Sequence, residues 1–307
     1  MQATETRPTE VATQAIKITP IGPTLGATIE GLDLSKPLSD SDFDIAYQAL
    51  ARYGVLRYPK QQLTTRQLRD FAARWGDLEI NVANAYQEPG FPEVMILSNK
   101  VDEQGKPLGF ADAGQSWHTD MPYSRIYAFC NILYGIEIPR RNGESLGNTE
   151  FCDQQAAYEG LPAELKTKLA GMTVKHDFNK FWEMMRREKA SARPPLTDAQ
   201  KAAKPPTSHP IFLRHPVSGN TCLYANPGYS IRINELPEGE SDEILQFLFD
   251  HQTKPEYRYA NRWQEGDVLM WDNMRTIHNA VADYRLDEHR YIKRCQVMAT
   301  RFLEGNA

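Results

Sequence analysis

The sequence predicts a mainly β protein with flanking helices, in a barrel or jelly-roll arrangement, and three observations lead there. Apolar runs of strand length recur along the chain, separated by turns rich in Gly, Pro and Asn. Helical spacing of apolar residues is confined to a few windows. No glycine-rich phosphate loop follows a strand, which removes weight from the nucleotide-binding α/β folds.

The elements follow in chain order. Residues 1–15 are polar and read as a loose N-terminal arm, and Ile16 to Ile29 read as short strands broken by Pro20, Gly22, Pro23 and Gly26. Ser39–Tyr53 opens with SDSDFD, which supplies carboxylates to the positive end of a helix, and Thr65–Trp75 repeats the helical spacing. Between them Gly54–Tyr58 is a buried strand. Gly76–Ser116 is a long loop interrupted by a strand at Val94–Asn99, and loops of that length tend to carry function. Ala128–Ile138 is a further strand. A turn over Pro139–Gly147 then leads through NTEFCD to a helix at Gln154–Leu161 and another beginning at Pro162. Residues 176–208, basic and punctuated by proline, are an insertion or lid. Strands at Ile211–Arg214, Cys222–Ala225, Val268–Trp271 and Tyr291–Thr300 and a helix at Ser241–Gln252 complete the chain, taken as one domain over 1–307.

Composition narrows the function. Of 307 residues 41% are hydrophobic and 24% charged, enough apolar material for a sizeable core. The net charge of -5 lacks the basic excess that a phosphate backbone demands, so nucleic acid is not an expected partner. No window has the apolar length of a signal peptide or membrane span, and a cytoplasmic protein without membrane contact is expected. Cys130, Cys152, Cys222 and Cys295 form no CxxC pair and read as reduced packing residues.

Two windows carry chemistry. SWHTDMPY places His118 and Asp120 two apart in a segment without helix signals, where an extended chain points both side chains the same way. WDNMRTIHNAVA supplies His278 just after a strand-like VLMW. A lone histidine is ordinarily a packed or surface residue. Two histidines and one carboxylate on one metal face leave positions open for other ligands, the arrangement associated with non-haem iron oxygenases. Arg290 and Arg294 lie four apart in a stretch read as strand, so both guanidinium forks share a face and suit anionic groups. Two solvated arginines on an edge strand are the plain alternative.

Five segments together resemble the TauD/TfdA family of taurine and 2,4-dichlorophenoxyacetate dioxygenases. They are ITPIGPTLGATIEGLDLSKPLSD, WHTD, NTEFCDQQAAYEGLP, HPVSG with NPGYSIRI, and WDNMRTIHNAVADY followed by R-x-x-x-R. The resemblance implies a double-stranded β-helix (jelly roll) with inserted loops and a lid. It implies Fe(II) held by His118, Asp120 and His278, with 2-oxoglutarate and O2 as cosubstrates. Thr149 and Arg290 match the residues that grip the distal carboxylate of 2-oxoglutarate, and Arg294 matches the arginine for the substrate's own anion. Related halogenases lack the carboxylate that Asp120 provides, so a hydroxylating enzyme is expected. A homo-oligomer, dimer or tetramer, is also expected.

The expected reaction hydroxylates a C–H bond of a small carboxylate or sulfonate, yielding succinate and CO2, and the product breaks down where the target carbon bears a heteroatom. Plain hydroxylation of an amino-acid-like acid is the alternative within this chemistry. A zinc hydrolase with the same ligands is the alternative outside it, although it has no need of Arg290 with Thr149. Asn81 and Asn84 stand where taurine dioxygenase has a His and a Tyr, which argues against taurine. Asn81, Asn84, Tyr86, Phe178 and Tyr229 join Arg294 as candidate substrate-binding residues.

Overall fold

The computed structural model describes residues 15–80, 86–189, 191 and 194–303. In chain order these form β1 (Lys17–Pro20), β2 (Ala27–Glu30), α1 (Asp40–Tyr53), β3 (Val55–Tyr58), α2 (Thr65–Ala73), β4 (Gln87–Glu88), β5 (Phe91–Ser98) and β6 (Ala128–Glu137). A short hairpin of β7 (Arg140–Arg141) and β8 (Glu144–Ser145) precedes β9 (Thr149–Asp153), α3 (Gln154–Glu159), α4 (Ala163–Leu169), β10 (Thr173–His176), α5 (Phe178–Glu188) and α6 (Asp198–Ala203). Then come β11 (Thr207–Pro210), β12 (Phe212–Arg214), β13 (Thr221–Leu223), β14 (Ser230–Ile233), α7 (Glu238–Gln252), β15 (Arg258–Asn261), β16 (Val268–Asp272), β17 (Thr276–Ala280), β18 (Tyr291–Met298) and α8 (Thr300–Leu303).

The protein is mainly β with flanking helices. Eight strands form one sheet in the order β1-β2-β3-β16-β6-β18-β5-β4, and a three-stranded sheet has the order β15-β9-β17. All pairs in the large sheet are antiparallel except β2 with β3. Its middle strands β16 and β6 are buried over most of their length, which explains why VLMWD and AFCNILYGIE read as near-continuous apolar runs.

One core lies between the two sheets. Leu133, Leu269, Trp271 and Ile292 from the large sheet meet Phe151 of β9, whose ring lies 5.3 Å from that of Trp271, edge-on. On the opposite face of the large sheet, α1 and α2 cover Cys130, Ile132, Met270 and Cys295 with Ala46, Leu50, Leu68, Phe71 and the fully buried Trp75. The helix starts are set locally. Ser39 caps α1 by accepting from Asp42 N–H, and Thr64 with Gln67 makes a reciprocal capping box on α2. Gly54 ends α1 at φ 67°, and a Cβ there would come within 2.7 Å of Leu25 Cδ2.

Four sequence expectations need adjustment. NTEFCD is a strand, not a connection. Its Glu and Asp disguise it, because Asp153 forms a buried ion pair with Arg275 at 3.1 Å and caps α3 as well. His278 lies inside its own strand β17 instead of following one. Arg290 immediately precedes β18, so the two arginines do not share one regular strand, and β18 ends at Met298. The segment bearing His118 and Asp120 is not an extended strand either: His118 forms a single bridge with His278, and the chain turns at Met121 with φ 56°.

Candidate active site

The site forms where the two sheets meet. His278 comes from β17 and Thr149 from β9 of the small sheet, while Arg294 and Gln296 come from β18 of the large one. His118 is brought beside His278 by backbone hydrogen bonds in both directions, at 3.0 and 2.7 Å. The two rings lie 4.2 Å apart, and potential ligand atoms of His118, Asp120 and His278 all fall within 4.8 Å of one another.

Each ligand is prepared for a cation. His118 Nδ1 lies 2.8 Å from Ser116 O, and because a carbonyl only accepts, Nδ1 carries the proton and Nε2 keeps its lone pair. His278 Nδ1 is buried with no hydrogen-bond partner, and burial together with His118 holds that ring well below the ordinary histidine range, so it is neutral. Burial alone would raise the Asp120 pKa, but the hydrogen bond with His118 and the charge of Arg294 outweigh it and keep the carboxylate ionised. Asp120 Oδ2 accepts from Asn131 Nδ2 at 2.8 Å, Gln296 Nε2 at 2.9 Å and Arg294 Nη1 at 3.3 Å. That leaves Oδ1 facing His118 Nε2, at 3.4 Å. Two neutral imidazoles and one ionised carboxylate, with an orphaned buried ring nitrogen, fit a divalent iron in an open facial set.

A cavity of about 390 Å³ extends from these ligands. His118, Asp120, His278, Thr149, Arg290, Arg294, Phe178 and Tyr229 all line it, so eight of the sequence candidates are brought together. Tyr86 is not among the lining residues. Its ring packs edge-on against Phe110, which does line the cavity, with centroids 5.6 Å apart. Asn81 and Asn84 lie outside the described residues.

Arg290 and Thr149 are positioned by neighbours. Trp263 Nε1 donates to Thr149 Oγ1 at 3.0 Å. Asn99 Oδ1 accepts from Arg290 N–H at 2.8 Å, and Ser98 Oγ donates to Arg290 O at 2.7 Å. The guanidinium is only 7% exposed; burial lowers its pKa, with Tyr284 opposing. Among the described residues no carboxylate pairs with it, which is costly for a buried cation unless an anion arrives.

Sequence reasoning missed the residues that hold the ligands. Asn131 stands in the middle of the apolar strand AFCNILYGIE, and Gln296 in YIKRCQVM; a polar residue within a buried run was the available signal. Nothing local marked Trp263 or Ser116. Asp272 and His215, from two of the quoted motifs, are joined at 2.7 Å in the core away from the cavity, so they serve the fold. Gly228, in NPGYSIRI, allows its loop to lie against His118: a Cβ there would be 2.9 Å from His118 Cβ.

Comparisons with known proteins agree with this geometry. The model of the "Taurine catabolism dioxygenase TauD, TfdA family" matches residues 17–296. Pentalenolactone F synthase of Streptomyces avermitilis is 31% identical over 277 residues, covering 86% of this chain and 89% of that protein. The alpha-ketoglutarate-dependent 2,4-dichlorophenoxyacetate dioxygenase of Cupriavidus pinatubonensis is 27% identical, covering 91% and 96%. A taurine dioxygenase structure from Burkholderia xenovorans superposes with a TM-score of 0.75 at 28% identity, over 92% of this chain and 89% of that one.

Proposed function

The chain belongs to the TauD/TfdA family of Fe(II)- and 2-oxoglutarate-dependent dioxygenases, and from that premise we propose that it hydroxylates a C–H bond of a small carboxylate or sulfonate, with succinate and CO2 as coproducts. Family membership sets the zinc hydrolase aside. The observation that carries the reading is the buried Arg290 guanidinium, without a carboxylate partner among the described residues, in the same cavity as the three ligands.

His118, Asp120 and His278 would hold the iron, and the cosubstrate bound beside it supplies the oxidising power that breaks the C–H bond. The chain's own contribution is placement. Arg290 offers a planar fork and Thr149 a hydroxyl to the far carboxylate of 2-oxoglutarate, which aims its other end at the ligand cluster. Asn131, Gln296 and Arg294 fix the Asp120 carboxylate so that one oxygen faces the metal position. Phe178, Phe181, Trp182 and Leu196, from residues 176–208, cover the cavity and act as a lid that excludes water. Arg294 takes the substrate's anionic group. We read the large and small sheets as the two faces of a double-stranded β-helix within a single domain. Where the hydroxylated carbon bears oxygen or a sulfonate, the product collapses to a carbonyl compound and a leaving group.

The test is succinate formation by purified protein with iron(II), ascorbate and 2-oxoglutarate across a panel of sulfonates, aryloxyacids, phosphonates and amino acids. Substrate-stimulated succinate that vanishes in His118→Ala supports the reading. Failure to bind 2-oxoglutarate with iron present sinks it.

A further inference from the structure

Outside the ligand and cosubstrate residues, the charged groups of the cavity are Arg294, Glu79 and Lys204. Arg294 already donates to Asp120 Oδ2, so the ligand carboxylate neutralises part of its charge. An anion entering the cavity meets a more available cation elsewhere. Lys204 stands at the end of α6 with its Nζ 4.7 Å from the ring centre of Phe178 and 5.0 Å from that of Tyr123. Among the described residues no carboxylate pairs with it. Burial lowers its pKa, opposed by the more distant Glu79, and such a partly desolvated cation gains more from an incoming anion than one in water does.

The rings beneath Lys204 form a continuous wall toward the metal ligands. Phe178 and Tyr123 are 4.9 Å apart, Tyr123 and Tyr229 5.1 Å, and Tyr229 and His118 6.1 Å. An anionic group at Lys204 therefore lies at one end of an aromatic surface whose other end is the reacting position. Glu79 faces both cations across the cavity, and its own pKa is raised by burial. A second negative charge on the ligand would be set against it.

We infer that Lys204 is a specificity-determining residue of the substrate site, which together with Arg294 selects a ligand with one anionic group on an arene or compact apolar skeleton. The inference rests on the proposed function, since it places the substrate in the cavity next to the iron ligands.

The experiment is calorimetric titration of the full chain, held without oxygen and loaded with iron(II) and 2-oxoglutarate. The probes are phenylpropionate, phenylpropanesulfonate, the neutral phenylpropanol and the zwitterion phenylalanine, against the parent protein, Lys204→Gln, Lys204→Arg and Glu79→Gln. The expected result is that both anions bind the parent, weaken roughly tenfold or more in Lys204→Gln, equivalent to about 1.4 kcal/mol, and recover in Lys204→Arg, while the alcohol is indifferent. Unchanged melting midpoints show that the variants are folded. Equal anion affinity in parent and Lys204→Gln overturns the inference, as does absence of anion binding to the parent with 2-oxoglutarate bound. Tighter binding of phenylalanine that is lost in Glu79→Gln overturns it in favour of a zwitterion site. Failure of 2-oxoglutarate itself to bind overturns the underlying reading instead.

Discussion

His118 and His278 are a backbone pair before they are a ligand pair: each donates its N–H to the other's carbonyl, at 3.0 and 2.7 Å. Their Cα positions are thus fixed independently of any metal. Side chains on a paired backbone start near the geometry that a cation requires, which limits the reorganisation on binding.

This pairing depends on a neighbour without a side chain. A Cβ on Gly228 would lie 2.9 Å from His118 Cβ and 3.0 Å from Phe181 Cδ2. Gly228→Ala is expected to destabilise the fold by roughly 1–3 kcal/mol through overpacking and to weaken metal binding. Urea unfolding and a metal titration check the two effects, and an unaltered metal affinity would show that the ligands tolerate the shift.

Asp120 is held by amide donors, and these are testable apart from the ligand itself. Asn131→Leu and Gln296→Leu each remove a donor from Oδ2. Loss of such supporting contacts is expected to lower metal affinity roughly 10- to 100-fold while the far-ultraviolet circular dichroism remains unchanged. If Asn131→Leu binds metal as tightly as the parent, Asp120 is oriented by other means.

Arg290→Ala removes a buried cation that awaits an anion. Calorimetric titration should show 2-oxoglutarate binding weakened by about 2–5 kcal/mol, the range for one side of a buried charge pair. The titration should be made with metal present and oxygen absent, so that affinity is read without turnover. Unchanged affinity would place the distal carboxylate elsewhere.

Acid stability should report on a histidine remote from the metal ligands. Burial first, then His209 and Lys180, push the pKa of His176 from 6.5 down to about 3. Between those values the unfolded chain binds a proton that the folded chain does not, so stability rises with pH across the window and falls as pH drops from 6.5 toward about 3. His176→Phe should show a shallower dependence over that range in denaturant titrations at stepped pH. An identical slope would mean that other groups, His209 among them, govern the acid limb.

The sequence made the strands legible wherever burial was continuous. β6 and β16 could be recognised from their apolar runs, and α1 and α2 from their caps. It hid β9, because a strand that ends in a carboxylate paired with Arg275 departs from apolar alternation. The ligands and both arginines were legible because rare residue types stood in motifs. Their supports were not, since Asn131 and Gln296 acquire meaning only when β6 and β18 pair and bring them to Asp120. Lys204 was invisible for a related reason: nothing in a basic, proline-punctuated segment says which lysine lies on the rings of Phe178 and Tyr123.

The place of β18 in the sheet has a kinetic consequence. This strand inserts between β5 and β6, with Arg294 opposite Met95 on one side and Leu133 on the other. Its partners are far away in sequence, so closing the sheet is a slow step dominated by long-range pairing. Until that step is complete, Asp120 lacks Gln296 and Arg294. Iron capture is then a late event in folding, and refolding rates should be the same whether the metal is present from the start or added at the end.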